Sequence, residues 1–356
     1  MVRTRSHDTF TYSTYTQIVI GDLAYGESFD CLLNQRSDPW IDSFFTSVKI
    51  VPYVQSLMYY NLLWILKYIV PKKMRDAREV TQQRQAARLA RRLARGTDES
   101  RNDFVSYILR YNDSVAAEEG KGRALSEGEI FTNASLLILA GSETTATLLS
   151  GLTYHLLRNR AAYGELCHEI RTTFSSTADM TLQATQSLPY LSAVLEEALR
   201  IYPPAPSTFP RVVPKGSGDG ELIDGRYVPA GTTVGVHQAA TYHSSRNFHA
   251  PYEFHPERWM PEEFEKPDSV FREDRRDVVN PFSVGPRNCI GRSLAYAEMR
   301  LILVRVLWEF DLELLQDEGG DGDCGKRGLG EWQEKQRVFL IWEKRPLMVR
   351  LRPVVR

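Results

Sequence analysis

The chain has 356 residues, enough to bury a large core as one big domain or two ordinary ones. Its composition is that of a soluble globular protein, 42% hydrophobic and 25% charged, and a formal net charge of −1 removes nucleic acid as the default partner. Cys31, Cys167, Cys289 and Cys324 are widely spaced with no CxxC pair, which favours a reducing compartment over a disulfide framework or a structural zinc site.

The opening stretch, MVRTRSHDTFTYSTYTQIVIGDL, has no long apolar run followed by a small-residue cleavage site, so no signal peptide is expected. Residues 50–70, IVPYVQSLMYYNLLWILKYIV, come nearest to a membrane segment. Pro52, Gln55, Asn61 and Lys67 interrupt it, whereas a spanning helix wants about 20 apolar residues with few or no charges. The expectation is an interfacial helix, its Tyr and Trp at a lipid or partner surface. Residues 72–95 predict a strong helix ending at Gly96. Nine basic residues stand there against Asp76 and Glu79, and a solvated face accounts for them better than nucleic-acid binding does.

Ser126-x-x-Glu129 is a capping box. No proline interrupts the residues that follow, so one central helix over 126–158 is predicted, about 50 Å long at about 1.5 Å per residue. Residues 134–141 are apolar nearly all round, which predicts passage through the core. Into that core the helix carries Ser142, Glu143, Thr144 and Thr145. A further helix starts near Pro189 and must stop before Pro203-Pro204. DGRYVPAGTTVGVHQ reads as short strands, FHPERWMPEEF as a meander, and residues 281–310 as a cysteine loop followed by a helix. Residues 316–331 read as a loop, and QRVFLIWEKRPLMVRLRP as two terminal strands around Pro346. The fold class is mainly α with a minor β part.

Three constellations carry chemistry. Cys289 lies in PFSVGPRNCIGRS, where Gly285, Pro286 and Gly291 turn the backbone sharply and strip side chains from one face. A sulfur beside a helix N-terminus is favoured as thiolate, a flat ligand can approach the glycines, and Arg287 can pair with an anionic edge. A haem, with its thiolate-accepting iron and two propionates, fits each part. A buried structural thiol and a nucleophilic cysteine are the alternatives. In the central helix, Glu143 and Thr144 are costly to bury unless paired or functional. They read as an acid–alcohol pair passing protons into a dry cavity, with Gly141 letting a bulky ligand rest on the backbone, or else as a back-bonded Thr beside a wet-edge Glu. Glu197 and Arg200 stand at i, i+3 on an apolar helix, and Arg258 of PERW is a candidate third partner.

Together these stretches resemble the cytochrome P-450 family of haem-thiolate monooxygenases, the fungal microsomal type in particular. The cysteine signature FxxGxRxCxG is matched by Phe282, Gly285, Arg287, Cys289 and Gly291. The central-helix motif is matched by Ala140, Gly141, Glu143, Thr144 and Thr145, the ExxR motif by Glu197 and Arg200, and PERW by Pro256, Glu257, Arg258 and Trp259. The resemblance implies a single haem domain over 1–356, with the interfacial and basic helices of 50–95 inside it. It implies haem b with Cys289 as the axial iron ligand, Arg287 and Arg211 as propionate contacts and Phe282 packed beside the thiolate. Glu143 and Thr144 become the proton-delivery pair, and Glu197, Arg200 and Arg258 a structural triad.

The implied activity is insertion of one oxygen atom of O2 into a small apolar substrate, in fungal secondary metabolism. Electrons would come from NADPH through an NADPH-cytochrome P-450 reductase. The implied location is the cytosolic face of the endoplasmic reticulum membrane, with peripheral membrane contact, and the cytoplasm is the alternative. The resemblance starts at about Gly21, and the family's anchor, first sheet, early helices and WxxxR are not found ahead of it. An N-terminally truncated form is therefore expected, with a catalytically inactive haem-binding fragment as the alternative and a helical interaction protein without haem as a third reading.

Overall fold

A computed structural model describes residues 2–3, 9–10, 12–27, 49–65, 68, 72–96, 102–117, 122–207, 210–216, 218–315 and 331–355. The readings at Cys31, Cys324 and 316–330 lie outside these. The chain forms two compact units. One comprises Met1–Thr147, Glu313–Glu318 and Pro346–Leu351; the other comprises Leu148–Leu312, Gly319–Arg345 and Arg352–Arg356.

In the first unit, helix α1 (Tyr12–Tyr25) is an element that the sequence reading did not place. It packs against α3 (Lys72–Ala94) and α4 (Phe104–Ala117). Between α1 and α3, where a single interfacial helix over 50–70 is expected, the described residues show α2 (Val51–Tyr59) and a separate 3-10 turn at Leu63–Ile65. Asn61 separates them with a left-handed φ of 57°, a conformation that Asn tolerates better than most residues. Neither piece buries a residue, and Tyr53, Tyr59, Tyr60, Trp64 and Tyr68 are all exposed.

The basic helix α3 is not solvated on every charged position. Arg91 and Arg95 are exposed and pair with Glu27, but Arg92 is buried. Its guanidinium meets both oxygens of Asp103 at 2.7 and 2.9 Å and the Ser106 hydroxyl at 2.6 Å, and it donates to Gly96 O at 3.0 Å. Asp103 in turn caps α4 by accepting the Ser106 N–H at 2.8 Å.

The central helix is α5 (Glu127–Arg158). Its capping box forms as read: Ser126 N–H and Oγ donate to Glu129 Oε2 at 2.9 and 2.8 Å, and Glu129 N–H donates back to Ser126 Oγ. The expectation that 134–141 is enclosed on all sides is corrected. Ala134, Ile138 and Leu139 are buried, while Leu136 is 59% exposed and Ala140 lies on the same exposed side. Enclosure is tighter further along, where Leu148, Leu149, Leu152, Leu156 and Leu157 are all buried. Among the described residues α5 is the one helix long and apolar enough to cross a membrane, and most of its apolar window is buried as a core helix would be.

The second unit is built on α6 (Arg160–Thr173), which packs against α7 (Pro189–Ile201) and α9 (Arg292–Glu309); a short helix α8 (Gln238–Tyr242) also packs on α7. Leu166, Ile170, Leu191, Val194, Leu195, Ala198, Leu303, Val304 and Leu307 form the core, each from the apolar stripe of its helix. Pro189 takes the first helical position of α7, where its missing N–H costs nothing. Gly151 is required by packing, since a methyl there would overlap the Tyr202 ring. That ring stacks on Trp342 with centroids 4.7 Å apart.

The β part is small. β1 (Val2–Arg3), β2 (Thr9–Phe10), β7 (Phe310–Leu314) and β10 (Val349–Pro353) form one sheet in the order β2-β1-β10-β7, with Val2 paired parallel to Val349. β3 (Arg211–Val212) pairs with β6 (Thr233–Val234), and β4 (Gly220–Ile223) with β5 (Arg226–Pro229), antiparallel in each case. The expected two terminal strands are three: β8 (Arg337–Val338) and β9 (Trp342–Glu343) form a hairpin before Pro346, and β10 follows it. A one-strand reading of QRVFLIWEK missed the turn at 339–341, which contains neither Gly nor Pro.

Candidate functional site

The loop before α9 turns back on itself. Ser283 and Gly285 take left-handed φ values of 61° and 81°, which glycine enters freely and serine rarely. Cys289 N–H donates to Phe282 O at 2.8 Å, and Asn288 N–H to Gly285 O at 3.0 Å. The chain then enters α9, with Ala295 N–H on Gly291 O at 2.9 Å. Cys289 is a free, exposed thiol, whereas Cys167 is free and buried. A Cβ on Gly291 would stand 3.8 Å from Cys289 Sγ, so glycine keeps that side of the sulfur open. Beside it Val284 and Ile290 are 66% and 89% exposed. Arg287 is exposed and makes no hydrogen bond or ion pair with another described residue.

A group suited to this place has to take a soft thiolate, present a flat apolar face to Val284 and Ile290, approach side-chain-free backbone and offer an anionic edge to a guanidinium. A haem meets all four demands. Arg211, on β3, is also exposed, and among the described residues its guanidinium reaches Pro210 O, at 3.5 Å.

Glu197, Arg200 and Arg258 are brought together with no exposure at all. Arg200 donates to both Glu197 oxygens at 2.9 and 2.7 Å, and Arg258 Nε to Oε1 at 3.1 Å. Trp259 Nε1 and the His255 N–H complete the set at 2.8 and 3.0 Å. Burial pushes the Glu197 carboxyl up, but the charge and hydrogen bonds of Arg200, then the charge of Arg258, hold it below the usual carboxylate range. Asp274, buried and paired with Arg258 Nη1, belongs to the same cluster.

The sequence reading missed Asp274, because nothing local to FREDRRD marks one acid among several as buried. It also missed Tyr242. Arg200 Nη1 donates to Tyr242 O at 3.0 Å, and the Tyr242 hydroxyl accepts the N–H of Asn280, the residue before the loop, at 2.8 Å. Gln238 Nε2 donates to the Asn280 carbonyl at 3.2 Å, so α8 grips both main-chain groups of that residue. Burial pushes the Tyr242 phenol up to about 12, which keeps the hydroxyl neutral.

Glu143 and Thr144 are described within the first unit. Glu143 is half-buried and accepts a hydrogen bond from Ser13 Oγ at 3.2 Å. Thr144 Oγ1 donates to Ala140 O at 2.6 Å, the back-bond to the preceding turn. Leu136, Ala140 and Thr144 recur at i, i+4 and i+8, and so share one helical face. The space over Gly141 differs from the expectation. A Cβ there would meet Ile20 Cδ1 and Cγ1 at 2.8 and 2.9 Å, so the glycine admits α1 rather than leaving room for a ligand. Thr16 Oγ1 reinforces that contact by donating to Ser142 O at 2.7 Å.

Comparison with known proteins points the same way. The family model of cytochrome P-450 matches residues 4–330, and so starts earlier than the resemblance read from Gly21. An averantin hydroxylase of Dothistroma septosporum is 43% identical over 342 residues, covering 96% of this chain and 60% of its own length. The cytochrome P-450 monooxygenase astA of Talaromyces wortmannii is 45% identical over 343 residues, covering 96% of this chain and 64% of its own length. The chain thus spans a little over three fifths of those curated relatives. With the family match running over nearly all its length, this chain belongs to the cytochrome P-450 family.

Proposed function

We propose that this chain is the haem-binding portion of a haem-thiolate monooxygenase that hydroxylates a small apolar substrate in fungal secondary metabolism. The observation that carries the proposal is the free, exposed Cys289 thiol in a backbone-closed loop, bordered by Gly285 and Gly291, two exposed aliphatic side chains and the exposed guanidinium of Arg287. Kinship with an averantin hydroxylase supports the reaction type.

In this reading Cys289 Sγ would hold the iron of haem b, and Arg287 and Arg211 would take its propionates. Gly285 and Gly291 allow its close approach, and Phe282 packs beside the thiolate. Bound there, the haem would supply the dioxygen activation that a hydroxylation needs. The chain's own contribution is orientation and proton handling. Thr144 Oγ1 gives its hydrogen to Ala140 O and so keeps its lone pairs free to accept a proton donor, while Glu143 beside it relays protons. Glu197, Arg200 and Arg258 work at a distance, by locking the framework.

Electrons come from NADPH through a cytochrome P-450 reductase, docked by positive charge that includes Arg287 and Arg292. The protein sits on the cytosolic face of the endoplasmic reticulum membrane, and the exposed aromatic residues of 53–68 make peripheral contact with the lipid interface.

The test is the absorption spectrum of the haem-supplied, reduced, carbon monoxide-bound protein. The red-shifted Soret band of a thiolate-ligated haem is expected, and its loss in Cys289→Ala. A band that survives Cys289→Ala overturns the ligand assignment. NADPH consumption with added reductase and substrate then tests turnover.

A further inference from the structure

Two residues next to the cysteine loop have no role above. Tyr296, on the second turn of α9, is buried, and its ring centroid stands 5.3 Å from that of Phe282 at a tilt of 42°. Its hydroxyl donates to Glu196 Oε1 on α7 at 2.6 Å. The Arg292 and Arg300 guanidinium carbons lie 5.9 and 5.0 Å from the Tyr296 centroid, and Arg292 also sits 5.8 Å from that of Phe282. The ring is therefore fixed at its rim by a carboxylate and over its faces by two cations. A residue that had only to fill space would need no such hydroxyl bond.

The anchor is itself rigid. Glu196 is the neighbour of Glu197, whose buried ion cluster locks α7. At the other end of the chain of contacts, Phe282 carries the carbonyl that accepts the Cys289 N–H. Tyr242 already pins the start of the loop through Asn280, so a second fixed point beyond the cysteine leaves the sulfur between two clamps.

We infer that Tyr296, held by Glu196, is a positioning residue that fixes the direction of the Cys289 sulfur by bracing Phe282. Its importance for ligation rests on the function proposed above; the brace itself does not.

The test uses the full 356-residue chain in four variants: Tyr296→Phe, Glu196→Leu, Glu196→Gln and Tyr190→Phe. The last removes a like phenol–carboxylate bond, Tyr190 hydroxyl to Glu257 Oε1 at 2.8 Å, which involves no residue of the loop. Amide hydrogen exchange over 282–291, measured without haem, is expected to quicken about tenfold in Tyr296→Phe and Glu196→Leu, the factor for a lost hydrogen bond of about 1.4 kcal/mol. Glu196→Gln, whose amide oxygen still accepts, and Tyr190→Phe should leave it unchanged. With haem, the same two disruptive variants should lose a larger share of the thiolate band than the other two. Unchanged exchange in Tyr296→Phe overturns the brace. Equal quickening in Tyr190→Phe also overturns it, by showing general loosening. Quickened exchange together with no thiolate band in the unsubstituted chain upholds the brace and overturns the haem reading instead.

Discussion

Replacing Glu197 by Gln keeps the volume of the side chain and removes its charge. In the native protein its two oxygens receive five hydrogen bonds: two from Arg200 and one each from Arg258, Trp259 and the His255 N–H. The amide would turn an NH2 donor toward one side of that set. Its remaining oxygen still faces one Arg200 donor, but Arg200, fully buried, would be left with that neutral oxygen and the carbonyls of Tyr242, Pro251 and Glu253 and no carboxylate, while Arg258 would keep Asp274. Breaking a buried ion pair on one side costs about 3–5 kcal/mol. Total stability of a folded domain is only about 5–15 kcal/mol. Equilibrium urea unfolding followed by far-ultraviolet circular dichroism is therefore expected to show a loss of about 3–5 kcal/mol with the slope unchanged. Tyr190→Phe, which removes one half-buried phenol bond, should cost about 1 kcal/mol in the same assay. A loss below about 1 kcal/mol for Glu197→Gln would refute the view that its charge compensates two buried cations.

Three further outcomes are expected. Burial pushes the His155 imidazole down to about 4, with the Gln333 hydrogen bond opposing, so its contribution is full above the unfolded value of about 6.5 and fades as pH falls toward 4. The native chain should lose about 2 kcal/mol from this group between pH 7 and pH 5, and His155→Gln should flatten that slope; an identical slope counts against the assignment. Gly151→Ala should lower the thermal midpoint, since overpacking against the Tyr202 ring costs about 1–3 kcal/mol, and an unchanged midpoint contradicts the packing. Asp103→Asn should cost about 3 kcal/mol and speed exchange at the Ser106 amide, because it strands the buried Arg92 charge and weakens the α4 cap.

What could be read from the sequence followed the range of the interaction. The Ser126–Glu129 capping box, the Pro189 start and the Gly96 stop are local signals, and α5, α7 and α3 end within a residue or two of where they place them. Cys289 and its glycines are legible because one loop contains them all. Arg258 is legible as a partner of Glu197 because a buried pair needs a third group. Asp274 is not, since an acid in a run of charges gives no sign of which one is enclosed. Asn61, Leu136 and Gly141 misled for the same reason: the turn, the exposure and the neighbour at each depend on tertiary packing that a periodic pattern does not carry. Tyr296 is unremarkable in sequence, and only the approach of Glu196, a hundred residues earlier, gives it a partner.

The parallel pairing of Val2 with Val349 has a consequence for biosynthesis. The first unit takes in Glu313–Glu318 and Pro346–Leu351 as well as Met1–Thr147, so more than three hundred residues must be synthesised after β1 before that sheet can be completed. Expressing 1–147 alone would leave β1 without its parallel neighbour. The two units therefore cannot be separated by a single cut, and dissection of this protein requires either circular permutation or co-expression of the C-terminal strands.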